Sequence, residues 1–245
     1  MTTKKNIEKI NINEDVLLDN NISQLLLSLD LKIRSGELKI AIYGLGHVGS
    51  PLAAAWLRAG AHVIGVDKSK EILQYAREGK THIPEPGVNE AFEKGIINKK
   101  LCIYDDLVEA SKDSFLKMIC VPVLAADGSA DLSAVKNVAV AIGKGLKKND
   151  VVALNPSVPP GTTEDVVIPI LQKQSGFTIE HDFYVVYNPE RIYEGRAIED
   201  IEQRYPGVVA GSGKKSLEIS KKVFSFIYQK GIIAMSNIKS AETEK

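Results

Sequence analysis

The chain has 245 residues, 44% hydrophobic and 25% charged, enough for one or two domains with a substantial core. Its 31 basic and 31 acidic side chains cancel, so no net basic field attracts nucleic acid or an anionic membrane surface. Two isolated cysteines, the lack of any stretch near the ~20 apolar residues of a membrane span, and no signal-peptide pattern together predict a soluble cytoplasmic protein.

Residues 1–36 form a leader rich in Asn, Lys and Asp. Ile22, Leu25, Leu26 and Leu29 fall on one helical face within it. That face suits either a docking helix for a partner subunit or a helix packed on its own domain. From Leu38 onward, short apolar runs alternate with helical stretches. Strands are expected at Lys39–Tyr43, His62–Val66, Leu101–Tyr104, Lys117–Val121, Val151–Leu154, Phe183–Tyr187, Val208–Ala210 and Ile232–Met235. Helices are expected at Ser50–Arg58 (ended by Gly60), Lys70–Arg77 (closed by Gly79), Leu107–Ser111, Leu132–Leu146, Thr163–Gln172 and Leu217–Tyr228. Such alternation implies right-handed crossovers and a doubly wound, mostly parallel α/β sheet. The final residues, from Ser240 to Lys245, read as the start of a helix.

Gly44-Leu45-Gly46-His47-Val48-Gly49 is a G-x-G-x-x-G, and its surroundings make it informative. An apolar strand precedes it, a small-residue helix follows, and the next strand ends in Asp67, 18 residues past Gly49. This is the fingerprint of a Rossmann dinucleotide site. Gly44 permits the tight turn, Gly46 lets backbone approach a pyrophosphate, and Gly49 lets helix and strand pack closely. The amides of His47 and Val48 face the phosphates at a positive helix end. Asp67 accepts from the adenosine ribose hydroxyls and repels a 2′-phosphate, which favours NAD over NADP even with Lys68 adjoining it. His47 is expected to act through its backbone. His62, His82 and His181 lack metal-ligand spacing, and no metal is expected.

Two clusters in the second half also follow strands, where a doubly wound sheet places its ligand crevice. In Asn155–Thr163, the Ser157 hydroxyl can meet a nicotinamide or ribose, while Thr162 or Thr163 caps the next helix. In Asn188–Arg196, two carboxylates and two guanidiniums converge. Glu190 and Glu194 would share one face if the segment is helical, and the cluster is either functional or a surface ion-pair network.

Together these segments resemble the UDP-glucose/GDP-mannose dehydrogenase family. The matching stretches are Ile42–Ala53, Pro84-Glu85-Pro86-Gly87, Ile119-Cys120-Val121-Pro122, Asp127-Gly128 with Asp131-Leu132-Ser133, Ser157–Thr163, Asn188-Pro189-Glu190-Arg191 and Ser240-Ala241-Glu242. The resemblance implies an N-terminal helical extension (1–36), an NAD-binding Rossmann domain (37–236) and the start of a central helix (237–245). Members of the family oxidise carbon six of a UDP-sugar twice with two NAD, through a cysteine thiohemiacetal. Carried over, Glu190 assists the hydrolytic step and contacts substrate. Lys245 stabilises an oxyanion and the general-base water, an electrophilic role that suits an ammonium. Pro122, Val123, Ser157 and Glu194 line the cofactor, and Arg191 and Glu194 reach the sugar. The Pro-Glu-Arg form resembles members acting on UDP-N-acetylhexosamines such as UDP-N-acetyl-D-mannosamine, with UDP-glucose as the alternative substrate.

The departures carry expectations too. Val121-Pro122-Val123-Leu124 stands where the family has Val-Pro-Thr-Pro, so a cofactor-side hydroxyl is missing. The catalytic cysteine, the dimerisation helix and the UDP-binding domain of these enzymes, which form homodimers or higher oligomers, have no counterpart in the sequence. The chain is therefore expected to be inactive alone, as the front half of a longer enzyme. A non-catalytic NAD-binding module serving a partner chain is the alternative of another class. A 6-phosphogluconate or 3-hydroxyisobutyrate type dehydrogenase would leave the Pro-Glu-Arg and Pro-Pro-Gly-Thr-Thr segments unexplained.

Overall fold

Strands made of near-continuous Val, Ile and Ala runs bury both their faces, and the sheet that results has helices on each side. The computed structural model describes residues 12–126 and 128–244; Asp127 and Lys245 lie outside the described residues. The elements run α1 (Ile12–Arg34), β1 (Lys39–Tyr43), α2 (Gly49–Arg58), β2 (His62–Val66), α3 (Lys70–Arg77), α4 (Val88–Ile97), β3 (Leu101–Tyr104) and α5 (Leu107–Asp113). They continue with β4 (Leu116–Ile119), β5 (Leu124–Ala126), β6 (Ser129–Asp131), α6 (Ser133–Gly145), β7 (Val151–Leu154), α7 (Ile168–Ser175) and β8 (Tyr184–Tyr187). Last come α8 (Ala197–Glu199), β9 (Gly207–Gly211), α9 (Lys214–Phe224), β10 (Ile232–Ala234) and α10 (Ile238–Thr243).

The main sheet has the order β10-β9-β8-β7-β4-β1-β2-β3. All neighbours are parallel except β8 and β9, which pair antiparallel. Strand periodicity sorts the core into two layers. Ile40, Ile42, Val63, Met118 and Val186 face α2, α4 and α9, while Ala41, Tyr43, Ile64, Val152 and Val185 face α6 and α7. Trp56 is fully buried in the first layer, donating its indole N–H to the Met118 sulfur at 3.1 Å and packing on Phe224.

Local chemistry starts and stops the helices. The Ser69 hydroxyl accepts from the Ile72 amide at the head of α3, and the Asp106 carboxylate accepts from Val108 and Glu109 at the head of α5. Leu29 and Ile33 of α1 are buried in the first layer, and Lys222 of α9 pairs with Asp30 at 2.7 Å. The leader helix thus packs on its own domain. Helix α4 and the β5–β6 hairpin arise in stretches where no element was expected. Gly95 interrupts the pattern of α4, yet its missing side chain lets that helix close on Leu101 and Leu57. The helix expected over Thr163–Gln172 begins as a π-helical turn, Thr163–Val167, before α7. Among the described residues no helix is long and apolar enough to cross a membrane.

At the amino ends of β4 and β7, Lys117 and Asp150 form a buried ion pair. The ammonium also donates to the Ser114 carbonyl at 2.6 Å, and the carboxylate accepts the Lys147 amide at 2.7 Å. Burial lowers Lys117 to about 8 and raises the Asp150 carboxyl, so desolvation outweighs attraction at both partners. Asp150→Ala strands the ammonium and is expected to cost about 3–5 kcal/mol in denaturant unfolding, whereas replacing both residues by Met and Leu costs little. An unchanged unfolding midpoint for D150A would contradict this account of the pair.

Candidate functional site

The chain winds outward from β1 in both directions, to β2 and β3 on one side and to β4, β7 and β8 on the other. The loops leaving β1 and β4 therefore part at the carboxyl edge, the switch point where open α/β sheets bind ligands. A cleft of about 440 Å³ opens there, lined by Gly44, Gly46, Asp67, Cys120, Pro122 and Asn137 among others. A second cavity of about 450 Å³ lies at the opposite, amino edge. Three of the lysines lining it are engaged: Lys39 pairs with Asp113, Lys148 with Asp182, and Lys147 donates to the Lys112 carbonyl.

The glycine loop separates what the protein needs from what a ligand needs. A Cβ on Gly49 would stand 1.8 Å from the Gly44 carbonyl oxygen, and one on Gly44 would stand 3.0 Å from the Cys120 oxygen, with φ at +101° besides. A Cβ on Gly46 would meet nothing within 4 Å. Packing explains the first two glycines and makes no demand on the third, which leaves open space at the cleft. Helix α2 has no side-chain cap and no acidic residue in its first turn, so its positive end faces the cleft. Asp67, half-buried at the tip of β2, accepts from the Leu45 amide at 2.8 Å and the Ser69 amide at 2.9 Å. These bonds aim the carboxylate and leave lone pairs for ribose hydroxyls. The residues present thus fit NAD.

Beyond Cys120 a polar relay crosses the carboxyl edge. The Cys120 thiol approaches the Asn155 side-chain oxygen at 3.8 Å, and Asn155 donates to the Asn188 carbonyl and side-chain oxygens at 2.9 and 3.0 Å. Asn188 donates in turn to the Val208 carbonyl at 2.7 Å. Burial pushes the Cys120 thiol far up, with the Glu190 carboxylate adding to the shift. Burial of this kind disfavours the thiolate form. Cys102 is exposed on β3, the sheet's edge strand.

Ser157 is exposed in the loop after β7. The expected capping by Thr162 or Thr163 does not occur, because Thr162 donates its hydroxyl back to the Pro159 carbonyl at 2.6 Å. Glu242 of α10 takes the cap's place, accepting from the Gly161 amide and from the amide and hydroxyl of Thr163. After β8, Glu190 is half-buried and Glu194 sits in an exposed turn. The segment is not helical, so the two do not share a helix face. Arg191 donates to the Pro206 carbonyl at 2.7 Å and lies over the Tyr205 ring. The His47 imidazole, from the glycine loop, comes within 3.7 Å of the Glu194 carboxylate. Pro122 is exposed on the cleft and Val123 half-buried beside it.

Sequence reasoning missed the supports. Glu85 accepts from the Gly195 and Ala197 amides at 2.8 and 2.7 Å, tying the Pro-Glu-Pro-Gly segment to the turn carrying Glu194. The two prolines flanking Glu85 were the available signal, since they fix the backbone that presents it. Glu242 stood in the Ser240-Ala241-Glu242 stretch, but its role as a support was not legible there, its partners being about eighty residues away. Among the described residues no group of His, Cys, Asp and Glu could hold a metal.

The loop makes a paired prediction. Gly46→Ala should keep the melting temperature and lose roughly tenfold in NAD affinity, about 1.4 kcal/mol. Gly49→Ala should instead lower the melting temperature, because its methyl overlaps the Gly44 carbonyl. Thermal unfolding beside NAD titration reads both, and wild-type NAD affinity in G46A would contradict the assignment.

Comparison with known proteins agrees with this geometry. The model of the UDP-glucose/GDP-mannose dehydrogenase family, NAD binding domain, matches residues 38–230. GDP-mannose 6-dehydrogenase of Pseudomonas putida is 36% identical over 170 residues, covering 68% of this chain and 39% of that protein. A UDP-D-ManNAc dehydrogenase structure from Pyrococcus horikoshii superposes with a TM-score of 0.80 at 27% identity, over 85% of this chain and 49% of that one. A ternary complex of GDP-mannose dehydrogenase from Pseudomonas aeruginosa gives 0.78 at 31% identity, over 84% and 48%. The chain spans about half the length, or less, of these relatives. Sequence match and cleft converge on one assignment: the chain belongs to the UDP-glucose/GDP-mannose dehydrogenase family and carries its NAD-binding domain.

Proposed function

We propose that this chain supplies the cofactor half of a nucleotide-sugar 6-dehydrogenase acting on a UDP-N-acetylhexosamine, UDP-N-acetyl-D-mannosamine above others. NAD, when bound, supplies the hydride acceptor. The observation that carries the reading is the cleft at the β1–β4 switch point, where Gly46 leaves space that no protein atom fills and Asp67 is aimed from the other side. The choice of sugar is supported by the Pro189-Glu190-Arg191 segment and by relatives such as UDP-N-acetyl-D-mannosamine dehydrogenase of Pyrococcus horikoshii. A GDP-mannose substrate is the second reading, favoured by the 36% identity with the Pseudomonas putida enzyme.

In this reading the amides of His47 and Val48 hold the pyrophosphate, and Pro122, Val123, Ser157 and Glu194 flank the nicotinamide side. Glu190 handles the water of the hydrolytic step, and Lys245 supplies an electrophilic ammonium. Arg191 has guanidinium N–H groups beyond the one given to Pro206 with which to hold a phosphate or sugar oxygen. Neither thiol among residues 1–245 serves as nucleophile, since Cys120 is buried with a raised pKa and Cys102 stands on the edge strand. Turnover by this chain alone is not expected.

The test is calorimetric titration of the chain with NAD and NADP, followed by NADH formation with UDP-N-acetyl-D-mannosamine, UDP-glucose and GDP-mannose. NAD should bind at least about tenfold more tightly than NADP, a gap of ~1.4 kcal/mol, with no sustained NADH production. Absence of NAD binding would sink the cofactor reading. Sustained turnover would overturn the claim of inactivity and name the sugar.

A further inference from the structure

Glu242 is among the most deeply buried carboxylates described, 4% exposed, yet the cofactor cleft lies on another element. Both its oxygens face the loop between β7 and α7. One accepts the Thr163 amide at 2.9 Å and the Thr163 hydroxyl at 2.6 Å, and the other accepts the Gly161 amide. Three donors to one buried carboxylate are charge-assisted bonds in a low-dielectric setting, which makes the contact both strong and directional. Helix α10 is itself seated firmly. Ile238 and Ala241 are fully buried in the second core layer, and the Asn237 side chain caps the helix by accepting from Ser240 at 2.8 Å.

The loop's opposite end is pinned as well. Asn155 is locked into the relay to Asn188, Tyr187 donates its hydroxyl to the Pro156 carbonyl at 3.1 Å, and Val158 is buried. Ser157 therefore stands exposed between two anchors, one on the sheet and one on α10. A helix start with two threonines has local caps at hand, but here Thr162 bonds back to Pro159 and Thr163 donates outward. The long-range carboxylate fixes the loop's course, which a local cap would leave to the loop itself. Gly161 permits that course, with φ at +93° and Asp165 and Lys239 crowding its missing Cβ.

We infer that Glu242 is a positioning residue of the cofactor site: from α10 it holds the β7–α7 loop so that Ser157 meets the nicotinamide half of NAD. The inference rests on Ser157 being a nicotinamide-side residue, as proposed above. It assigns to α10 control over one half of the dinucleotide, with the adenosine half governed by the glycine loop and Asp67.

The test compares NAD with ADP, which carries the adenosine and pyrophosphate but neither the nicotinamide nor its ribose. Glu242→Gln keeps the side chain's volume but turns an amide NH₂ toward backbone donors. In the 245-residue chain, E242Q should weaken NAD binding about tenfold and leave ADP affinity within about twofold. Equal losses for both ligands, or no loss for either, would overturn the inference. Ser157→Ala separates it from the reading beneath it. If S157A binds NAD as the wild type does, the nicotinamide-side reading falls and the inference with it. If S157A weakens NAD selectively and E242Q does not, the loop reading stands and the role of Glu242 is wrong. Should E242Q fail to fold, Thr163→Val removes one donor while sparing the carboxylate. T163V should then weaken NAD roughly threefold with ADP unchanged, and unchanged NAD affinity would overturn the inference.

Discussion

Everything at the functional edge depends on β1 being paired on both sides, with β2 on one flank and β4 on the other. Because the chain leaves β1 toward β2 and later returns to lay β4 on the opposite flank, the loops after β1 and β4 must diverge. The cleft is a consequence of winding order rather than of any single side chain. What the sequence adds is the floor and the walls. Gly44 lets the two loops touch through backbone, its absent Cβ leaving room for the Cys120 carbonyl. Gly49 brings α2 down onto that turn, so the helix's uncapped positive end points into the opening.

The two edges of the sheet carry different burdens. At the amino edge, Lys117 and Asp150 are desolvated together, Lys39 and Lys148 pair with carboxylates, and Lys147 donates to a carbonyl. At the carboxyl edge, polar groups are buried in service of geometry. The relay from Cys120 through Asn155 and Asn188 to Val208 fixes four strand ends relative to one another. Glu85 and Glu242 then brace the two loops that carry Glu194 and Ser157. Each brace is a carboxylate accepting backbone amides, an arrangement that tolerates little displacement.

The strands and the cleft were legible in the sequence because their signals are local. Val151–Leu154 and His62–Val66 coincide with the expected strands, and the glycine loop with Asp67 needs only about two dozen residues to declare itself. What local pattern does not encode is direction and distance. Nothing in the run Gly207–Gly211 says that β9 pairs antiparallel with β8. That α1 packs on its own domain rests on the burial of Leu29 and Ile33 and on the pairing of Asp30 with Lys222 of α9, far along the chain. Thr163 offered a plausible local cap, yet its hydroxyl answers to a glutamate 79 residues away. The residues at the site were therefore readable and their supports were not. A support is defined by a partner that only folding brings near.

The central claim is that NAD lies across the carboxyl edge at the β1–β4 switch point, and hydrogen exchange with and without NAD addresses it most directly. The account predicts that saturating NAD slows amide exchange in Gly44–Ser50, at Asp67–Ser69 and in Cys120–Val123, while Lys147–Asp150 and the rest of the amino edge exchange as before. Protection centred on the amino-edge cavity, or no protection at the glycine loop under saturation, would contradict it.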